Sequence, residues 1–301
     1  MMKRLIDNLF SPDLEETLGE KLFFRFFELF LVVYMLVFVW DWAQYIPQIE
    51  TVLLPLGIAG YVDVSFMFGN NLAFWNAGAI TIAAALGVSR IVPGIAYWIA
   101  IALFHLQYVS RYSLGEISHG SNMIGVSILA LAVAMSFFNN PTHRRRFTLG
   151  FIYFFVGLGY VTAAFAKLIG TGLNWPNGRH LWMWINERYI DSLSEFGLYE
   201  LNFLQEMILG SVVVGTIVLL FGLIVEFCGF LMWFRKTRYY ITPIIIAMHF
   251  GVLMTMNIAF NAFTLQLIFL ALPWATFIDR AIARRPEMTA QRLPKALLAR
   301  L

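Results

Sequence analysis

Runs of apolar residues separated by short polar segments dominate the pattern along this chain. A transmembrane helix needs about 20 predominantly apolar residues, and eight runs approach or exceed that length. They cover residues 22–42, 72–89, 92–110, 121–138, 147–170, 208–234, 240–258 and 261–279. The pattern therefore predicts an all-α fold, a polytopic integral membrane bundle of about eight transmembrane helices.

The polar segments differ in their number of basic residues, and this distribution predicts an orientation in the membrane. With the N-terminus inside, 17 of the 21 Lys and Arg residues fall in inside segments, and Arg111, Arg179 and Arg188 fall outside. Because positive residues concentrate on the cytoplasmic side of a membrane, we expect both termini to be cytoplasmic. We predict one transmembrane domain over residues 1–279 and a basic cytoplasmic tail over residues 280–301, attracted to anionic lipid.

Composition narrows the class of protein. The 301 residues are 60% hydrophobic and 13% charged, which excludes an ordinary soluble globule. The single cysteine, Cys228, excludes an intramolecular disulfide and a cysteine-rich zinc site. The pI near 9.0 does not indicate nucleic acid binding, because the basic residues lie at membrane edges. The expected partner is the lipid bilayer, and no metal-binding motif is present.

The outer segment over residues 171–207 is rich in tryptophan, including Trp175, Trp182 and Trp184. Tryptophan prefers the headgroup level of a bilayer, so we expect this segment to lie at the outer interface.

Ionisable residues within spans are costly and indicate function by default. Lys167 ends an apolar run near the predicted outer edge. It either extends its ammonium group to the interface or serves as a base in a partly dry pocket. His119, where the fourth span enters from outside, has a matching depth. It is either a polar residue at a helix start or a proton-transfer partner.

For Glu28, Glu226 and His249, pairing with a nearby charged or polar residue is an alternative to a functional role. Glu226 and His249 lie in the sixth and seventh spans, where they either pair with each other or belong to a site. Glu28 lies three residues after Arg25, which favours a pair within one helix.

Three stretches together resemble one family. They are SHGSNMIGVSIL, which contains His119, YVTAAFAKLIGTGLNW, which contains Lys167, and EFCGFLMWFRKTRYYITPIIIAMHFGVLMTMNIAFN, which contains Glu226 and His249. The pattern is similar to the transmembrane domain of vitamin K-dependent gamma-carboxylase and its bacterial relatives, the HTTM proteins, over roughly residues 20–280. The other matching positions are Trp175, Gly178, Arg235 and Arg238.

This resemblance implies quinol-dependent chemistry on the extracytoplasmic side of a bacterial inner membrane. Lys167 would deprotonate a reduced naphthoquinone of the vitamin K hydroquinone type, with His119 as its hydrogen-bonding or proton-transfer partner. O2 would be consumed, a quinone epoxide would form, and CO2 would carboxylate a glutamate of a secreted or membrane peptide. The expected quinol-binding residues are Trp175, Asn122, His249 and Glu226.

A second class of function stays open at this point. The animal carboxylase continues into a large lumenal domain, whereas this sequence stops about 20 residues after the last predicted span. The alternative is therefore a non-catalytic membrane partner in the maturation of, or immunity to, a secreted peptide, of the sporulation-delaying-protein type. A transporter is a further alternative.

Overall fold

A computed structural model describes residues 2–11, 15–55, 57–114 and 119–284. Within these residues the secondary structure is entirely helical. The α-helices are α1 (Met2–Phe10), α2 (Leu18–Tyr45), α3 (Leu72–Val88), α4 (Pro93–Tyr112), α5 (His119–Phe137), α6 (Pro141–Thr171), α7 (Gly178–Phe196), α8 (Phe203–Gly210), α9 (Val212–Phe227), α10 (Arg235–Met256), α11 (Asn261–Ala271) and α12 (Trp274–Ala283). A short 3₁₀ helix, Cys228–Trp233, extends α9.

Five helical segments are long and apolar enough to cross a membrane. They are Leu18–Gln48, Gly120–Phe137, Pro141–Asn174, Val212–Trp233 and Arg235–Met256. Each corresponds to one of the predicted runs, so the prediction of an all-helical chain with several apolar spans is confirmed. The length and hydropathy of the helices do not confirm the prediction of eight spans.

The remaining three predicted runs differ from simple spans. Residues 72–89 form the 17-residue helix α3, and residues 92–110 form α4, which does not meet the same length and hydropathy criteria. The run 261–279 is divided into α11 and α12. The break falls at Pro273, whose ring removes a backbone donor and prevents a continuous helix. Counting α11 and α12 as one bent span gives six.

Contacts between helices divide the chain into two compact units. The first unit comprises residues 9–152 and 273–301, and the second comprises residues 1–8 and 153–272. Helix α6 begins in the first unit and ends in the second. Residues 285–301, which hold most of the predicted basic tail, lie outside the described residues.

A buried carboxylate organises the first unit. The Glu28 side chain has no exposed surface and accepts hydrogen bonds from Arg25 at 2.6 Å, Arg90 at 2.6 and 2.7 Å, and the Tyr97 hydroxyl at 2.5 Å. The predicted pair with Arg25 is thus confirmed and is part of a larger cluster. Arg90 reaches Glu28 from a left-handed backbone conformation, with φ of 63°. Two cations and a hydroxyl compensate the desolvation of this carboxylate.

The second unit holds α7–α11 and most of α6. Two close crossings shape it. Gly178, at the start of α7, packs on Gly215 of α9 and donates its backbone N–H to Thr216 at 2.9 Å. Trp233 donates from its indole nitrogen to the Phe154 carbonyl at 3.1 Å, which fixes the end of the α9 extension against α6.

Candidate functional site

Glycines bring α6 and the α9 segment into direct contact. A Cβ at Gly157 would lie 2.5 Å from the Trp233 indole nitrogen, and one at Gly229 would lie 2.6 Å from the Tyr160 Cβ. The two segments run in opposite directions, because Trp233 lies beside Phe154 whereas Glu226 lies beside Lys167. This close antiparallel packing places Lys167 within reach of Glu226.

Lys167 and Glu226 form an ion pair between these two segments. The Lys167 side chain retains 29% of its surface and the Glu226 side chain 12%. Only Oε1 of the carboxylate contacts the ammonium group, and the buried Oε2 atom has no hydrogen-bond partner within the described structure. A carboxylate oxygen that is removed from water without a partner is costly, and it is an acceptor available to a ligand.

Trp175 completes the surroundings of the Lys167 ammonium group. The Nζ atom lies 4.9 Å from the centre of the indole ring, within the range of a cation–π interaction. His180 holds the Trp175 backbone by donating from Nδ1 to its carbonyl at 2.9 Å. The Trp175 ring also packs on the buried cluster around Leu181 and Ile185. Trp175 is therefore fixed by α7, and the Lys167 ammonium group contacts both its ring and the Glu226 carboxylate.

His249 belongs to a separate polar group, which meets α6 at Tyr160, about two helical turns before Lys167. Its Nε2 atom hydrogen-bonds the Tyr160 hydroxyl at 2.8 Å, and its Nδ1 atom lies 3.3 Å from the Thr264 hydroxyl. The ring is 7% exposed and packs against Phe260 and Phe263. Glu226 and His249 thus have different partners, so of the two alternatives left open by the sequence, the pairing of these residues with each other is not formed. His249 is directed towards α6 and α11 instead.

Tyr160 is a polar residue beside the candidate site that was not predicted from the sequence. Tyr153, Tyr160 and Lys167 are spaced by seven residues, so they share one face of α6 at intervals of about 10 Å. Each has a polar partner: Tyr153 donates to the Leu270 carbonyl at 3.0 Å, Tyr160 bonds His249, and Lys167 bonds Glu226. A search for polar residues at this spacing within the apolar run would have found the group.

Arg238 and Gly178, two of the positions that carry the family resemblance, have structural roles. The Arg238 guanidinium lies 3.9 Å from the centre of the Tyr153 ring and donates to the Asn8 carbonyl at 2.9 Å. Gly178 lies where any Cβ would overlap the Val212 carbonyl. These positions support the packing of the second unit.

His119 and Asn122, the two predicted site residues on α5, lie in the first unit. Helix α5 begins at His119, whose side chain is outside the described part of the structure. Asn122 is exposed and lies near the Tyr108 hydroxyl. The proposed pairing of His119 with Lys167 stays a prediction. Among the described residues, no group of three or more His, Cys, Asp or Glu side chains is arranged to hold a metal ion.

Comparison with known proteins gives no relative. No protein family, curated protein or solved structure matches this chain.

Proposed function

We propose that the chain is an integral membrane enzyme that transfers a proton from a lipid-soluble hydroxyl substrate at the Lys167–Glu226 pair. The observation that carries this proposal is the buried Oε2 atom of Glu226, which has no hydrogen-bond partner among the described residues and lies beside the Lys167 ammonium group. Ionisable pairs of this kind on apolar helices are costly and are usually retained for function. An acceptor with a free lone pair is the feature that proton transfer requires.

A reduced naphthoquinone is the substrate class that the motif resemblance suggests, and the residues fit it. Its phenolic hydroxyl is a hydrogen-bond donor that matches the free Oε2 acceptor, and its flat ring matches the aromatic surface of Trp175. When bound, such a quinol supplies the electrons for reaction with O2, so that quinol and O2 give quinone epoxide and water.

We assign the following chemical roles to the residues of this chain. Glu226 accepts the hydroxyl proton at Oε2. Lys167 stabilises the carboxylate through Oε1, and its ammonium group also lies over the Trp175 ring. This differs from the expectation that Lys167 is the base, because its Nζ atom is already engaged as the donor to Glu226 Oε1. His119 is retained as a proton-transfer candidate, and Asn122 and His249 as quinol-binding candidates. Carboxylation of a secreted or membrane peptide with CO2 would be the coupled reaction.

We also propose eight spans, with both termini on the cytoplasmic side of a bacterial inner membrane. The sorting of 17 basic residues to one side and three to the other supports this topology. The apolar helices α3 and α4 would be the two additional spans beside the six that length and hydropathy give when α11 and α12 count as one bent span. The active site would then face the extracytoplasmic side.

The test is epoxide formation by the purified full chain in lipid vesicles that contain reduced menaquinone-type naphthoquinol and O2. We expect epoxide from the wild type, and a loss of about 100-fold or more in Glu226→Gln, the usual size of an acid–base contribution. Lys236→Ala, which removes an exposed lysine at the start of α10, is the matched control and should retain activity. If the wild type forms no epoxide, the quinol proposal is wrong and the non-catalytic peptide-partner or transporter alternatives are favoured.

A further inference from the structure

Helix α1 and the start of α10 together form a strongly basic surface in the second unit. Residues 2–8 and 235–240 contain five basic residues and one acidic residue, Asp7. The five basic residues, which we call the α1–α10 basic surface, are Lys3, Arg4, Arg235, Lys236 and Arg238. Within the described residues, none of these five cations forms an ion pair with a carboxylate. The surface therefore carries an excess of positive charge without internal counter-ions.

Asn8 holds α1 against the N-terminus of α10. Its Oδ1 atom accepts a hydrogen bond from the Arg235 backbone N–H at 3.3 Å, and its backbone carbonyl accepts one from Arg238 Nη2 at 2.9 Å. Its Nδ2 atom donates to the Arg4 carbonyl at 2.7 Å. Because residues four apart share one face of a helix, Arg4 lies on the face of α1 that meets α10. The cations of the two helices thus belong to one surface.

The first turn of α10 lacks the negative charge that a helix N-terminus favours. Its backbone N–H groups and the helix macrodipole make this end positive, yet the first turn contains three basic residues and no acidic residue. The Arg238 side chain extends to Asn8 at this same end, and the residue is only 7% exposed. Its buried Nε atom has no hydrogen-bond partner within the described part of the chain. An anion at this position would relieve the repulsion between these charges.

The surface lies at the junction of two apolar segments. The helical segments on either side of Phe234 both meet the length and hydropathy criteria for a membrane span, so a membrane that they cross has its boundary near Phe234. Tyr239 and Tyr240 are exposed one turn further along α10, and tyrosine is enriched at the level of the lipid headgroups. Ile6 is an exposed apolar side chain of α1, two residues after Arg4. Cations beside exposed tyrosine and isoleucine suit a lipid surface.

We propose that the α1–α10 basic surface binds the phosphate headgroup of an anionic phospholipid. The phosphate lies over the N-terminus of α10, between Arg235 and Lys236 of that helix and Arg4 of α1. Arg238 contributes positive charge from beneath. Charge complementarity calls for an anion, and the position at the end of two apolar segments favours a lipid over a soluble anion. The lipid would fasten α1 to α10 at the membrane boundary, and its binding does not depend on the enzyme chemistry proposed above.

The test is a lipid titration of the full chain in micelles of a neutral detergent, with the bound lipid measured by native mass spectrometry. We expect phosphatidylglycerol to bind more tightly than phosphatidylcholine, which carries no net charge. The double variant Arg235→Gln with Lys236→Gln should bind phosphatidylglycerol about 25-fold more weakly, because each basic residue near a lipid surface contributes roughly fivefold. Both side chains are exposed, so the variant should fold like the wild type.

The matched control is Arg179→Gln with Arg188→Gln, which removes the same charge from exposed positions on α7. Its affinity for phosphatidylglycerol should equal that of the wild type. Equal weakening by the two double variants would show a response to net charge alone and would overturn the proposal, as would equal binding of the two lipids by the wild type. A third arm adds inorganic phosphate at constant ionic strength. Phosphate should not displace phosphatidylglycerol, and its displacement would show a site for a soluble anion instead of a lipid.

Discussion

At the scale of single residues, Lys167 could be selected from the sequence but its partner could not. Lysine is rare within an apolar run, so its position alone identified it. Glu226 lies 59 residues away, and nothing in the local pattern says which helices meet. The sequence therefore led us to consider a Glu226–His249 pair, whereas packing gives Glu226 to Lys167 and His249 to Tyr160.

A double-mutant cycle tests the energetic link between Lys167 and Glu226. We expect Lys167→Met and Glu226→Gln each to lower the free energy of unfolding by about 1–3 kcal/mol, because each leaves a partly buried charged or polar group without its partner. The double variant should be more stable than the sum of the two effects predicts. Thermal unfolding of all four proteins in the same detergent measures this. Simple additivity would mean that the pair contributes nothing beyond its separate residues.

At the scale of elements, the close packing of α6 on the α9 segment depends on glycines that hydropathy does not distinguish. Gly157 and Gly159 cannot be distinguished in the sequence. A Cβ at Gly157 would meet Trp233 and the Gly229 carbonyl, whereas a Cβ at Gly159 would meet no other segment of the described chain within 4 Å. The break in the last predicted span could be anticipated in part from the sequence, because Pro273 interrupts the apolar run. Helix pairing requires contacts between distant segments, which periodicity alone does not supply.

These two glycines provide a matched pair of variants. We expect Gly157→Ala to lower the free energy of unfolding by about 1–3 kcal/mol, because the added methyl group forces the segments apart. It should also weaken the Lys167–Glu226 contact. Gly159→Ala adds the same methyl group to open space and should be neutral or slightly stabilising, since alanine favours helix over glycine. Equal effects of the two substitutions in a thermal unfolding assay would contradict this account of the packing.

At the scale of the whole molecule, the helical class and the apolar spans could be predicted, but the number of spans was not fixed. Five predicted runs correspond to helices that meet the length and hydropathy criteria. Helix α3 has 17 residues, close to the lower limit for a span. Length alone does not determine whether such a helix crosses the bilayer, so orientation must be measured.

Labelling of single cysteines measures the orientation. Cys228 is the only native cysteine, so Cys228→Ser gives a background without one. With eight spans and cytoplasmic termini, Arg179→Cys on α7 should react with a membrane-impermeant maleimide in intact cells. Lys236→Cys at the start of α10 should react only after the cells are permeabilised. Reaction of both, or of Lys236→Cys alone, in intact cells would contradict the proposed topology.

In the function that we propose, Glu226 accepts the substrate proton at Oε2, which has no hydrogen-bond partner among the described residues, and Lys167 is its charge partner. The most direct measurement is epoxide formation from reduced naphthoquinone by a variant with the charges exchanged, Lys167→Glu with Glu226→Lys. The exchange keeps an ion pair between α6 and α9, so the protein should fold and unfold like the wild type, but the carboxylate then lies on the other helix. We predict that the wild type forms epoxide and that the exchanged variant, although folded, forms at least about 100-fold less. Equal activity of the two proteins, or no epoxide from the wild type, would contradict the claim.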